Sequence, residues 1–224
     1  MLQPYLDQIT AHADAERAAG QAGYHKSKRN FLGVPNPVLN DLTKLWRREM
    51  SIGERVELAN ALWREDAHET RIAAAKLLTQ ARIRPDHAVW ELLVSWLPDF
   101  DGWAIADHAC MAMQKRLTAD PARIDEVEHW TRSDHMWTRR AAMVATLPWT
   151  KQKHPKPLDL EIRDRVLGWA AVYVPDRDWF IQKSIAWWLR ELSKHDAARV
   201  IAFLDQYGDA MKPFARKEAG KYLR

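Results

Sequence analysis

Apolar residues along this chain recur three and four positions apart, the spacing that puts them on one face of an α-helix. In the stretch 88–97, AVWELLVSWL, they fall at Val89, Trp90, Leu92, Leu93, Trp96 and Leu97. The strict alternation of a half-buried strand is nearly absent, and eight glycines leave few positions for hairpin turns. The pattern predicts helices over 2–19, 37–49, 52–64, 67–81, 86–97, 101–117, 121–132, 135–147, 159–173, 178–193, 196–206 and 210–222. Asn36-Pro37 and Asp120-Pro121 each set a capping residue before proline at a first helical position. Ser51 with Glu54 three residues on reads as a capping box. The longer connections fall near 20–36 and 148–158; the second, PWTKQKHPKPL, is rich in Pro and Lys.

Four segments resemble one another: TRIAAAKLL (70–78), TRRAAMVATL (138–147), IQKSIAWWL (181–189) and FARKEAGKYL (214–223). Each opens on polar or basic residues and continues with small apolar ones, which let helices approach closely. Stacked helix pairs of this kind build a solenoid, whose concave surface is formed by the second helix of each pair. The recurring basic residue would then line an anion-binding groove. The expected architecture is all-α, a single repeat domain over 1–224, with an ordinary helical bundle as the alternative.

Composition narrows the classes. Hydrophobic residues make up 47% of the chain and charged residues 29%, enough for a sizeable core under a solvated surface. The net charge is +4 and the pI about 9.2, so the distribution of charge says more than its sum. Basic clusters lie at Lys26, Lys28 and Arg29; at Lys44, Arg47 and Arg48; at Arg139 and Arg140; and at Lys151, Lys153 and Lys156. Each reads either as a solvated helix end or as an anion contact. A lone Cys110 with apolar flanks excludes an intramolecular disulfide and predicts a buried thiol. No 18-residue apolar run and no hydrophobic leader are present, so no membrane span and a cytoplasmic location are expected; no obligate protein partner is evident, and a monomer is the expected state. Nine scattered histidines form no HExxH, and no P-loop, dinucleotide glycine pattern or GxSxG elbow occurs; no metal and no cofactor are expected.

Candidate chemistry centres on the twelve tryptophans. Their flat faces suit stacking and cation binding, although a core role is the usual one. Three sit at helical spacing from charged residues. Trp103 precedes Asp107 by four, Trp137 precedes Arg140 by three, and Trp187 lies between Lys183 and Arg190. Aromatic faces, a carboxylate and cations together suit a ligand with negative phosphates and a positive centre. Asp107 falls mid-helix in an apolar stretch, where Asp has poor propensity and a buried carboxylate needs a partner. It is either a hydrogen-bonded structural residue or a functional one, and Arg140 is either a salt-bridge partner or an anion ligand. Asp99 and Asp101 read as loop and helix-cap residues rather than as cation ligands.

At these residues the chain resembles the HEAT-like repeat DNA glycosylases of the AlkD type. The segments that carry the resemblance are KSKRNFLGVPNP (26–37), WAIADHA (103–109), WTRRAAMVATL (137–147) and DWFIQKSIAWWLREL (178–192). The resemblance implies an α-solenoid with a concave DNA-binding face. It also implies excision of N3- or N7-alkylated purines, such as 3-methyladenine and 7-methylguanine, from duplex DNA, without swinging the lesion into a pocket. Carried over, Asp107 matches the catalytic aspartate, Trp103 and Trp187 the aromatics at the lesion's backbone, and Arg140 the arginine that contacts it. Arg139, Lys183, Arg190, Trp137 and Lys26 are the further DNA-binding candidates. Trp188 doubles the aromatic at Trp187, which leaves open which ring faces the groove. Some relatives keep the fold and only bind DNA, so a non-catalytic DNA binder is one alternative; a helical scaffold for another protein is the second.

Overall fold

The structure, a computed structural model, describes residues 2–223. Thirteen α-helices and four short 3-10 turns account for its regular elements; among the described residues no strand forms, and one isolated parallel bridge joins Asn30 to Ala67. The all-α helical-repeat expectation therefore holds. The chain divides into two compact units, Met1–Ala119 and Asp120–Arg224.

The first unit holds α1 (Gln3–Thr10), α2 (Ala15–His25), α3 (Asn36–Glu49), α4 (Ile52–Arg64), α5 (His68–Leu78), α6 (His87–Ser95) and α7 (Trp103–Ala119). Its packing is in two layers: α5 lies against both α3 and α7, while α4 packs on α5 and also touches α6. The second unit holds α8 (Ile124–Trp130), α9 (Met136–Ala145), α10 (Pro157–Tyr173), α11 (Trp179–Ser193), α12 (Ala197–Tyr207) and α13 (Pro213–Ala219). There α11 lies between α9 and α13, and α10 packs on α12. The four similar segments fall on α5, α9, α11 and α13; α5, α9 and α11 each pack on the helix before them, and α13 packs on α11. Their alanines at 73–75, 141–142, 186, 215 and 219 are buried, which is the close approach that small residues permit.

Several local expectations need correction. The helix expected over 2–19 is two helices, because Asp14 accepts the N–H of Arg17 at 2.8 Å and caps a new start after the turn at 11–14. Asn36 is already helical, with extended Pro35 before it and no side-chain cap; Pro37 is the second residue. Asp120 caps a 3-10 turn, not an α-helix directly. The predicted helix 86–97 ends at Ser95 with a 3-10 turn, Leu97–Asp99, after it, and the predicted helix 210–222 shortens to Pro213–Ala219 behind a 3-10 turn, Gly208–Ala210. The Ser51–Glu54 capping box forms as expected, and Cys110 is buried.

The basic residue of the first similar segment does not face solvent. Arg71 is buried, donating to the carbonyls of Trp63 and Asp99 and pairing with Asp66 at 2.7 Å. Arg116 and Arg163 do the same elsewhere, taking the carbonyls of Ile83 and Ala81, and of Trp149 and Gln152. Buried guanidiniums with five donors satisfy the carbonyls of the connections and so fix one helix pair on the next.

Candidate functional site

The twelve tryptophans separate by burial. Trp46, Trp63, Trp90, Trp96, Trp130, Trp149, Trp169 and Trp188 are core residues. The four that keep solvent contact are Trp103, Trp137, Trp187 and Trp179. Three of these are the ones singled out by their spacing to charged residues. Of the adjacent pair, Trp188 is fully buried and Trp187 half-buried, so only Trp187 can meet a ligand.

In the first unit, Trp103 opens α7 and Asp107 follows one turn later, half-buried. Positions four apart share a helix face. Trp103 closes an aromatic group: its ring lies 5.1 Å from His25 and meets Tyr24 edge-on at 6.1 Å. Phe31 stacks on His68 at 4.5 Å and on His25 at 5.7 Å. Behind Trp103 is a cavity of about 200 Å³, bounded also by His25, His68, Glu69 and His108. Burial, reinforced by the neighbouring His25, His108 and Arg29, pushes the His68 imidazole down to about 3. Burial also lowers His25 and His108, so the group is neutral near pH 7.

The loop carrying Phe31 is fixed by Glu69. This buried carboxylate accepts the N–H groups of Leu32, Gly33 and Val34 at 2.9, 2.7 and 3.1 Å. Gly33 has φ +77°, and a Cβ there would lie 2.0 Å from the Asp14 carbonyl oxygen, so only glycine fits. Lys26 caps the end of α2 in the left-handed conformation and is exposed. Asp99 closes the 3-10 turn Leu97–Asp99 and accepts the Trp63 indole N–H at 2.8 Å, and Asp101, in the connection before α7, pairs with Arg29 at 2.7 Å.

In the second unit, Asp178 caps α11 by accepting the N–H of Phe180 at 2.7 Å, which sets Trp179 at the first helical position. Buried Gln182 donates to the carbonyls of Val174 and Asp176, both at 2.9 Å, and accepts the Lys212 N–H at 2.9 Å. That side chain holds α11 against the start of α13. Trp137 packs on Phe180 at 4.6 Å, Trp179 meets Phe180 edge-on at 5.0 Å, and Trp179 stacks on Phe214 at 5.5 Å. Trp179 was not among the sequence candidates; its signal is the capping Asp178 directly before it.

The cations of this unit are engaged. Arg140 is only 3% exposed and donates to the Phe180 carbonyl at 3.1 Å. Arg139 pairs with Asp176 at 3.1 Å. Lys183 pairs with Glu218, and Arg190 pairs with Glu218 at 2.6 Å and Glu191 at 3.1 Å. Among the described residues no group of three or more metal-ligating side chains forms, and no helix is long and apolar enough to cross a membrane.

Comparison with known proteins adds an independent observation. Residues 5–223 match the model of the family described as DNA alkylation repair enzyme. Among curated proteins no match is found. A solved structure described as a predicted DNA alkylation repair enzyme from Enterococcus faecalis superposes with a TM-score of 0.79 at 21% identity, over 95% of this chain and 97% of that one. The smu.31 protein of Streptococcus mutans UA159 gives 0.65 at 18% identity, over 83% and 92%. AlkD2 of Streptococcus mutans gives 0.63 at 18% identity, over 82% and 88%. Identities at this level establish a shared fold.

Proposed function

The chain belongs to the DNA alkylation repair enzyme family, and from that premise we propose that it is a DNA glycosylase that excises N3- and N7-alkylated purines from duplex DNA. The observation that carries this reading is Asp107, a half-buried carboxylate one turn beyond partly exposed Trp103 on α7.

The chemistry asks little of the protein. Alkylation at N3 or N7 gives the purine a positive charge, so the base departs neutral. Glycoside hydrolysis ordinarily needs an acid to protonate the leaving group and a second carboxylate. A cationic leaving group removes the need for the acid. Asp107 alone then stabilises the positive sugar in the transition state and orients the attacking water. A charge pair at 4 Å is worth about 4 kcal/mol at an effective dielectric near 20. At about 1.4 kcal/mol per tenfold, that is roughly a thousandfold in rate. Trp103 offers a π face to the cationic base or sugar. In the second unit, half-buried Trp187 offers an aromatic face to DNA, while buried Arg140 donates to the Phe180 carbonyl and ties α9 to the start of α11. Lys26, Trp137, Arg139, Lys183 and Arg190 add affinity for the duplex that does not depend on its sequence.

Incubation with methylated duplex DNA, followed by chromatography of the released bases, tests the assignment. Free 3-methyladenine or 7-methylguanine is expected, and uracil from a uracil-containing duplex is not. Duplex binding without any base release would identify a non-catalytic DNA binder instead.

A further inference from the structure

A second concavity of the first unit, about 350 Å³, opens between α3, α5 and α7. Lys44, Arg47 and Lys76 line it, with His108 and Met111 from α7 and one acid, Asp41. Two of these cations are held in place by neutral groups. Lys76 Nζ donates to Asn40 Oδ1 at 2.6 Å. Arg47 Nη1 donates to the carbonyls of Lys76 and Thr79, at 3.2 and 3.0 Å, at the end of α5. Arg55 donates in turn to the Arg47 carbonyl. Among the described residues none of Lys44, Arg47, Arg55 and Lys76 forms an ion pair. This contrasts with Arg139, Lys183 and Arg190, each of which has a carboxylate partner.

Arg47 and Lys76, close together and partly buried, with no carboxylate among the described residues in an ion pair with either, raise the energy of the unliganded protein, and a bound anion relieves it. The same crowding is visible in the titration of the groups. Burial, then the neighbouring Arg47, holds the Lys76 ammonium below its usual range; burial, then Arg55, does the same to Arg47. The pocket also has a fixed relation to the candidate carboxylate. Met111, on its lining, is exposed and lies four residues beyond Asp107 on α7, about 6 Å along the same helix face.

We infer that Lys44, Arg47 and Lys76 form a phosphate subsite that holds a backbone phosphodiester of the duplex as it passes Asp107. The inference rests on the reading of Asp107 as the residue that meets the damaged nucleotide. Its chemistry is that of Arg and Lys on phosphate: a guanidinium fork fixed by the carbonyls of Lys76 and Thr79, with the ammonium groups of Lys44 on α3 and Lys76 on α5 beside it.

The test is the salt dependence of duplex binding by the full chain, wild-type against Lys44→Gln/Lys76→Gln. Each phosphate contact contributes about 0.9 to the slope of log K against log salt. The double variant is expected to lose about one unit of slope and to bind every duplex, methylated or not, about tenfold more weakly at low salt. Lys44→Gln alone, at an exposed residue, should move both in the same direction by a smaller amount and leave melting unchanged. A double variant that melts normally and matches wild-type in slope and affinity overturns the subsite, while alkylpurine release by wild-type would leave the glycosylase reading intact. Conversely, a lowered slope in the variant of a protein that releases no alkylpurine keeps the subsite and removes the glycosylase reading. Calorimetry with inorganic phosphate separates the remaining source. Saturable phosphate binding lost in the double variant, with the duplex slope unmoved, shows a free-phosphate site and overturns the assignment to the DNA backbone.

Discussion

His68 shows how a single residue of the aromatic group at Trp103 couples that group to stability. Its imidazole is nearly sealed from solvent and is pushed down to about 3, whereas in the unfolded chain it titrates near 6.5. As pH falls through 6.5 the unfolded state takes up a proton that the folded state refuses until about pH 3. Stability is therefore complete above about pH 6.5 and declines progressively below it. His25 and His108 are shifted the same way, so their contributions add in direction. For His68 alone the loss between pH 6.5 and 5 is about 2 kcal/mol. Melting followed by circular dichroism should drop between pH 7.5 and 5, and His68→Phe should flatten that drop. A melting temperature independent of pH in wild-type would contradict the account of the group. None of this was legible in the sequence. His25, Phe31, His68 and Trp103 come from α2, the following loop, α5 and α7, and no spacing along the chain links them.

At the scale of the element, α11 separates two adjacent tryptophans by function. Trp188 has no exposed surface, and Trp187 is half-buried. Trp188→Ala removes a large core side chain and should cost about 3–5 kcal/mol of stability. Trp187→Ala should leave melting much closer to wild-type and lower excision instead. Paired melting and base-release measurements distinguish them, and a Trp187→Ala protein that excises normally would remove that ring from the proposed DNA contacts. The same helix carries Lys183 and Arg190, both paired to Glu218. A phosphate must displace or share that carboxylate, so the gain from either cation is reduced. Lys183→Gln/Arg190→Gln should therefore change the salt slope of duplex binding less than Lys44→Gln/Lys76→Gln does; the opposite order in an anisotropy titration would show that the Glu218 pairs open on binding. Helical periodicity made α11 readable almost to the residue, because a capping Asp178 begins it and the buried positions repeat at 181, 184–186, 188–189 and 192. The periodicity hid the break between α1 and α2, since the turn at 11–14 contains neither glycine nor proline and its one signal is the cap Asp14.

Over the whole chain, the helical-repeat class followed from the spacing of apolar and small residues, and the four similar segments did each fall on a helix. Distribution of charge was the part the sequence could not supply. Arg71, Arg116, Arg140 and Arg163 look like surface cations in a string of letters, yet they are buried and engage backbone carbonyls. Lys76 looks like one lysine in an alanine-rich helix, yet it stands with Lys44 and Arg47 in a pocket where three cations face a single acid. Which cations are free to meet an anion depends on where each carboxylate of the fold ends up. Asp107 is different, because a mid-helix carboxylate four residues after a tryptophan stands out from residue order alone.

The central claim is that Asp107 supplies the negative charge for breaking the glycosidic bond of a cationic purine. Asp107→Asn keeps the volume and removes the charge. Single-turnover release of 7-methylguanine from methylated duplex, measured beside wild-type on protein shown to fold and to bind DNA, should fall by about two to three orders of magnitude. Release by Asp107→Asn at the wild-type rate would contradict the account.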